Sequence, residues 1–199
     1  MKWEYTKRTD GKIAITLDNN VWDFLFMRNI DLASELPLDR FAISITREVE
    51  IETSAIPAER TALKDYPAFK EYIAQTIHDC QIKTTWVFGF AAEGPGPQRL
   101  GGFDQGVWQS RTESEFYAAI REQYLIGRPE KNSQLTGNEA DAAVAAQSFF
   151  SIVLTCESPN KSGPLKFAAD HGGKILNLSG FDQRGFTLRA YIEDFYQRT

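Results

Sequence analysis

Four acidic positions in this chain each read as standing just after a strand. Asp18 closes the run Ile13-Ala14-Ile15-Thr16-Leu17, and a carboxylate at Glu48 or Glu50 follows Phe41-Ala42-Ile43-Ser44-Ile45. Asp141 opens the segment Asp141-Ala142-Ala143-Val144-Ala145-Ala146, and Glu157 follows Ile152-Val153-Leu154-Thr155. In an open α/β sheet, side chains just past the carboxyl ends of strands, or at the starts of the helices that follow, meet in one crevice. Carboxylates gathered there repel one another and, in apolar surroundings, resist ionising. A divalent cation removes that penalty, and hard oxygen ligands suit Mg²⁺ or Mn²⁺. The chemistry implied is metal-assisted cleavage of a phosphodiester.

Other catalytic equipment is missing from the sequence. There is no Gly-x-Ser-x-Gly elbow, and no Cys–His pair with a third orienting group. Cys80, Cys156, His78 and His171 lack zinc-ligand spacing, which also argues against a disulfide scaffold. Gly94-Pro95-Gly96-Pro97 has no Lys-Ser/Thr after it and is not a phosphate loop. Arg47, Lys161 and Lys166 are the cations that could hold flanking phosphates. Each acidic residue also has a plain structural alternative: Asp18 or Asp141 as a helix N-cap, Glu50 as a solvated face charge, Glu157 as the start of a loop. Trp22, Phe24, Phe149 and Phe150 read as core, and His171 beside Gly172-Gly173 as a turn residue.

The elements that must position these residues alternate. A strand over 13–17 leads into a helix over 21–27, with Asp and Asn at its start as caps. A short helix over 31–36 stops at Pro37. The strand 41–45 meets Thr46, an N-cap for a helix from Arg47 to about Ala55 that Ile56-Pro57 ends. A helix over 67–77 precedes a buried strand over 84–90. The segment 89–135 reads as an insertion: a long loop, then a helix over 113–124 capped by Thr112. Helix over 139–150, strand over 152–155, helix over 165–170, strand over 174–178 and a closing helix within 187–198 complete the chain. This alternation predicts a parallel sheet with helices packed on it.

The chain has 199 residues, 42% hydrophobic and 25% charged, enough for one substantial core and expected to form a single domain over 1–199. No run of 18 apolar residues occurs, so no membrane partner is expected. The charged start, Met1-Lys2-Trp3-Glu4-Tyr5-Thr6-Lys7-Arg8, has no apolar h-region. A cytoplasmic protein with reduced thiols is the expectation. The net charge of −5 is unlike that of a generic nucleic-acid binder, though a carboxylate cluster itself lowers it.

Several of these segments together resemble the PIN-domain ribonucleases. Ile15-Thr16-Leu17-Asp18-Asn19-Asn20-Val21 resembles their opening strand. Asp141-Ala142-Ala143-Val144-Ala145-Ala146-Gln147-Ser148 resembles their Ala-rich helix, and Val153-Leu154-Thr155-Cys156-Glu157 their strand ending in Thr-x-Asp, with Glu in the acidic place. Phe167-Ala168-Ala169-Asp170-His171-Gly172-Gly173-Lys174-Ile175-Leu176 resembles the closing helix and strand. The likeness covers about 12–77 and 136–178, outside the insertion.

The resemblance implies a three-layer α/β/α sandwich with a central, mostly parallel sheet. It implies a Mg²⁺- or Mn²⁺-dependent nuclease acting on RNA; many bacterial members are toxins paired with an antitoxin protein, and many form homodimers. Carried over, the metal ligands are Asp18, Glu50, Asp141 and Glu157, with Asn20 and Thr155 orienting ligands or water. Glu48 and Glu52 share the short helix of Glu50, and the choice among the three stays open. Such a site hydrolyses with cation-activated water and needs no protein nucleophile. Two other functions fit the same residues: a PIN-like module that binds RNA or a protein without turnover, and a Mg²⁺-dependent phosphatase. The phosphatase is weakened by Asn at position 20, where an Asp-x-Asp pair would need a carboxylate.

Overall fold

A computed structural model describes residues 2–57, 65–88, 98, 100–101, 106, 108–125, 135–181 and 185–198. Its strands are β1 (Ile13–Leu17), β2 (Phe41–Thr46), β3 (Lys83–Thr85), β4 (Val87–Phe88), β5 (Leu100–Gly101), β6 (Ile152–Thr155) and β7 (Ile175–Asn177). Its helices are α1 (Val21–Met27), α2 (Leu32–Glu35), α3 (Arg47–Ser54), α4 (Tyr66–Asp79), α5 (Arg111–Tyr124), α6 (Glu139–Gln147), α7 (Pro164–Asp170) and α8 (Leu188–Arg198). Five strands form one sheet in the order β3-β2-β1-β6-β7, every neighbouring pair parallel. Parallel neighbours need long crossovers, which the helices supply. The expected α/β architecture, a parallel sheet flanked by helices as in a three-layer sandwich, is what the chain forms.

The strand sequences explain the burial. Along β1, Ile13, Ile15 and Leu17 point to one face and Ala14 and Thr16 to the other, as the two-residue period of a strand requires. Ile15 and Leu17 are fully buried, in one cluster with Phe41, Ile43 and Ile45 of β2 and with Trp22, Leu25, Phe69 and Ile73 of the helices. On the Thr16 face, its hydroxyl meets that of Ser151 at 2.6 Å, and Ser151 in turn donates to the carbonyl of Gln147 at the end of α6. Helix α6 contacts β1, β2 and β6 and also α3, α5 and α7. It is surrounded, so Ala142, Ala143, Val144, Ala145 and Ala146 are all buried, and their small size lets it lie close to the sheet.

Several local expectations change. The buried strand expected over 84–90 is two short pieces, β3 and β4, separated at Trp86, with Thr84, Thr85, Trp86 and Val87 only half-buried; Gly89 and Phe90 lie outside the described residues, as does Gly94-Pro95-Gly96-Pro97. Ser110 rather than Thr112 caps α5, in a reciprocal capping box with Glu113. Helix α6 stops at Gln147, three residues early, because the chain must turn through 148–150 to enter β6. Thr46 caps α3 as its position predicts, accepting from the Val49 amide at 3.3 Å. Trp22, Phe24 and Phe149 are core, whereas Phe150 is half-buried. The Gly172-Gly173 turn joins α7 to β7. Gly172 has φ +107°, and a Cβ there would run into the Trp3 carbonyl. Both cysteines are free thiols. Among the described residues no helix is long and apolar enough to cross a membrane.

Candidate active site

The sheet order places a topological switch between β1 and β6. From β1 the chain builds outward through β2 and β3, then returns to the other side of β1 for β6 and β7. Crevices past the carboxyl ends of strands at such a point are where open α/β sheets bind ligands. Asp18 follows β1 and Thr155 ends β6, so the fold brings them side by side although 137 positions separate them.

Asp18 is 4% exposed and fully engaged. Its Oδ1 accepts from the Asn19 amide at 2.7 Å; its Oδ2 accepts from Asn20 Nδ2 at 2.7 Å and from the Thr155 hydroxyl at 2.6 Å. The Thr155 hydroxyl also accepts from the Glu157 amide at 3.0 Å. Asn20 Oδ1 accepts from the Cys156 amide at 2.7 Å. Asn20 stands at the N-cap position of α1 but makes no side-chain cap bond; its amide ties β1 to β6 instead. Asp18, Asn20, Thr155 and the backbone of Glu157 thus form one hydrogen-bonded unit, with the two polar residues holding the carboxylate in a fixed orientation.

Asp141 is the third residue of α6, not its cap; Asn138 occupies the cap position. Its carboxyl faces the same cavity and is pushed up to about 6, first by burial, then by the charges of Asp18 and Glu157, with Lys161 opposing. Asp18 is raised as well, burial outweighing the three bonds to its charged form. Glu157 is joined to Lys161 by an ion pair, and the ammonium is held above its ordinary range chiefly by that bond, with Asp141 and Asp18 adding.

Asp18, Asn20, Asp141, Glu157 and Lys161 line one open cavity of about 460 Å³. Its second acidic wall is Glu52, with Asp23 and Asn19 beside it, and Ile56, Pro57, Tyr66 and Phe69 close the apolar side. Glu50 is not among them. It pairs with Arg47 at 2.6 Å, and Arg47 also stacks on Trp86 and donates to the Gln98 carbonyl. Glu48 faces a separate small cleft with Trp86 and Tyr117. The reason is helix phase. At about 100° per residue, Val49, Glu52, Thr53 and Ile56 share a stripe, and Glu48 and Glu50 flank it on opposite sides. Val49 is buried and Thr53 donates to Asn19 Oδ1 at 3.2 Å, which fixes that stripe toward the cavity. Of the three cations considered for phosphates, Lys161 reaches the cavity, Arg47 is engaged with Glu50 and Trp86, and Lys166 pairs with Asp170 on α7.

Comparisons with protein-family models, with curated proteins and with solved structures return no match. The site is therefore read from its own chemistry. The donor set is hard oxygen, and Asp141 and Asp18 resist ionising, first through burial and then through neighbouring charge, that of Asp18 and Glu157 on Asp141 and that of Glu157 on Asp18, which a cation would relieve. Among the described residues no three acidic, His or Cys side chains converge closely enough to enclose a metal ion. Mg²⁺ keeps several waters and takes one or two carboxylates, so Asp18 and Asp141 are the oxygen donors here that such an ion would use.

Proposed function

We propose that this chain is a divalent-metal-dependent endoribonuclease of PIN-like type. The observation that carries the reading is the convergence of the Asp18, Asp141 and Glu157 side chains on one open cavity at the switch point of the sheet. Mg²⁺ or Mn²⁺, when bound, would supply positive charge to activate water and to stabilise the oxyanion that leaves phosphorus. Asp18 and Asp141 are the residues to hold it, with Glu157 and Glu52 reached directly or through water. Asn20 and Thr155 keep Asp18 oriented, and Thr155 positions Glu157 through its amide. The apolar wall of Ile56, Phe69 and Tyr66 limits water, and half-buried Tyr66 offers its ring to an unpaired base. RNA as substrate, and an antitoxin or second copy as partner, follow from the resemblance to the PIN-domain family.

The test is cleavage of single-stranded and hairpin RNA in Mn²⁺ or Mg²⁺ by wild type, Asp18→Asn and Asp141→Asn. Loss of at least about 10²-fold in rate in each variant is expected, as for removal of charge from a site built to stabilise charge. Cleavage equal in all three proteins would sink the reading. A second reading, a module that binds RNA without turnover, is favoured by the ion pair that occupies Glu157. It predicts RNA binding with no Asp18-dependent cleavage.

A further inference from the structure

The carboxylates of the cavity already face one cation, the side chain of Lys161. Glu157 and Lys161 are four residues apart in the loop between β6 and α7, where no helix forces them together. The contact is made by a turn at Ser158-Pro159-Asn160, in which the Lys161 amide donates to the Ser158 carbonyl at 2.9 Å. The two ends of the pair differ. Glu157 is anchored: its amide donates to Thr155, its carbonyl accepts from Asn177, and its side chain is 12% exposed. Lys161 is 56% exposed on a flexible stem, attracted also by Asp141 and Asp18. A pair whose cationic end is this exposed is held loosely and gives way to a competitor of higher charge.

We propose that Lys161 is a tethered counter-ion of the carboxylate site, holding Glu157 until a divalent cation displaces it. This rests on the metal-site reading above and specifies how that site is regulated: the ammonium and the metal ion compete for one carboxylate. The competition sets a threshold of free metal below which the site stays closed by its own lysine. It also leaves the released ammonium at the cavity rim beside the incoming phosphate.

The test is Mn²⁺ affinity, read from the electron paramagnetic resonance of the free ion, for wild type, Lys161→Met, Lys161→Arg and Asp141→Asn. Lys161 is exposed enough for its variants to fold. Lys161→Met should bind Mn²⁺ about three- to tenfold more tightly than wild type, an advantage that shrinks at about 0.5 M salt. Lys161→Arg, which keeps the charge, should bind like wild type. Equal or weaker affinity in Lys161→Met, with binding lost in Asp141→Asn, overturns the counter-ion and leaves the metal site standing. No Mn²⁺ binding by any of the four proteins overturns both.

Discussion

At the scale of single residues, two carboxyls of the site, Asp18 and Asp141, are held where burial disfavours their charged form. Asp141 has a folded pKa of about 6, above the ordinary carboxylate range. Between pH 4 and 6 the unfolded chain therefore gives up this proton while the folded chain keeps it. Stability from this group is present below about pH 4 and is lost as pH rises through 6. In EDTA, Asp141→Asn should match wild type near pH 4 and exceed it by about 2 kcal/mol at pH 7, read by denaturant unfolding at each pH. A constant difference across that range would mean that Asp141 is not under electrostatic stress. Asp18, Asn20 and Thr155 were legible in the sequence because each stands at or within three residues of a strand end, where the side chain's destination follows from the strand itself. Glu50 was not a safe choice. One residue's error along a helix turns the side chain by about 100°, and the phase of α3 is set by Val49 and by the Thr53–Asn19 bond, which the sequence does not display.

At the scale of elements, α6 is the part that delivers Asp141, and it does so by being small. Its interior-facing alanines admit contact with the sheet on one side and with α3, α5 and α7 on the others. Ala145 is 0% exposed, and Ala145→Leu adds methylenes where no space exists. A loss of about 1–3 kcal/mol is expected, seen as a lower melting temperature, with Asp141 displaced from the cavity. An unchanged melting temperature would show that α6 packs more loosely than described. The run of alanines after an aspartate was visible in the sequence, as were the cap of α3 at Thr46 and the helix that ends before Pro57. The extent of β3 and β4 was not, since Thr84-Thr85-Trp86-Val87 reads as one apolar strand and nothing local marks the break at Trp86. The start of α5 was misread by two residues for a similar reason: Ser110 and Thr112 are both competent caps, and the choice falls to Glu113, which closes a box with Ser110.

At the scale of the whole molecule, one topological fact organises the rest. The order β3-β2-β1-β6-β7 sets the ends of β1 and β6 together, and the alternation of strands and helices in the sequence was enough to predict a parallel sheet but not which strands would be neighbours. That neighbour relation turns dispersed acidic residues into one cavity. The most direct test of the account is thermal unfolding of wild type and Asp18→Asn in EDTA and in Mn²⁺, with Asp141→Asn as a second site variant. At about 100 times its dissociation constant, Mn²⁺ should raise the wild-type melting temperature by roughly 5–10 °C and leave both variants within about 2 °C of their values in EDTA. No rise in wild type, or an equal rise in all three proteins, would contradict a metal site built on Asp18 and Asp141.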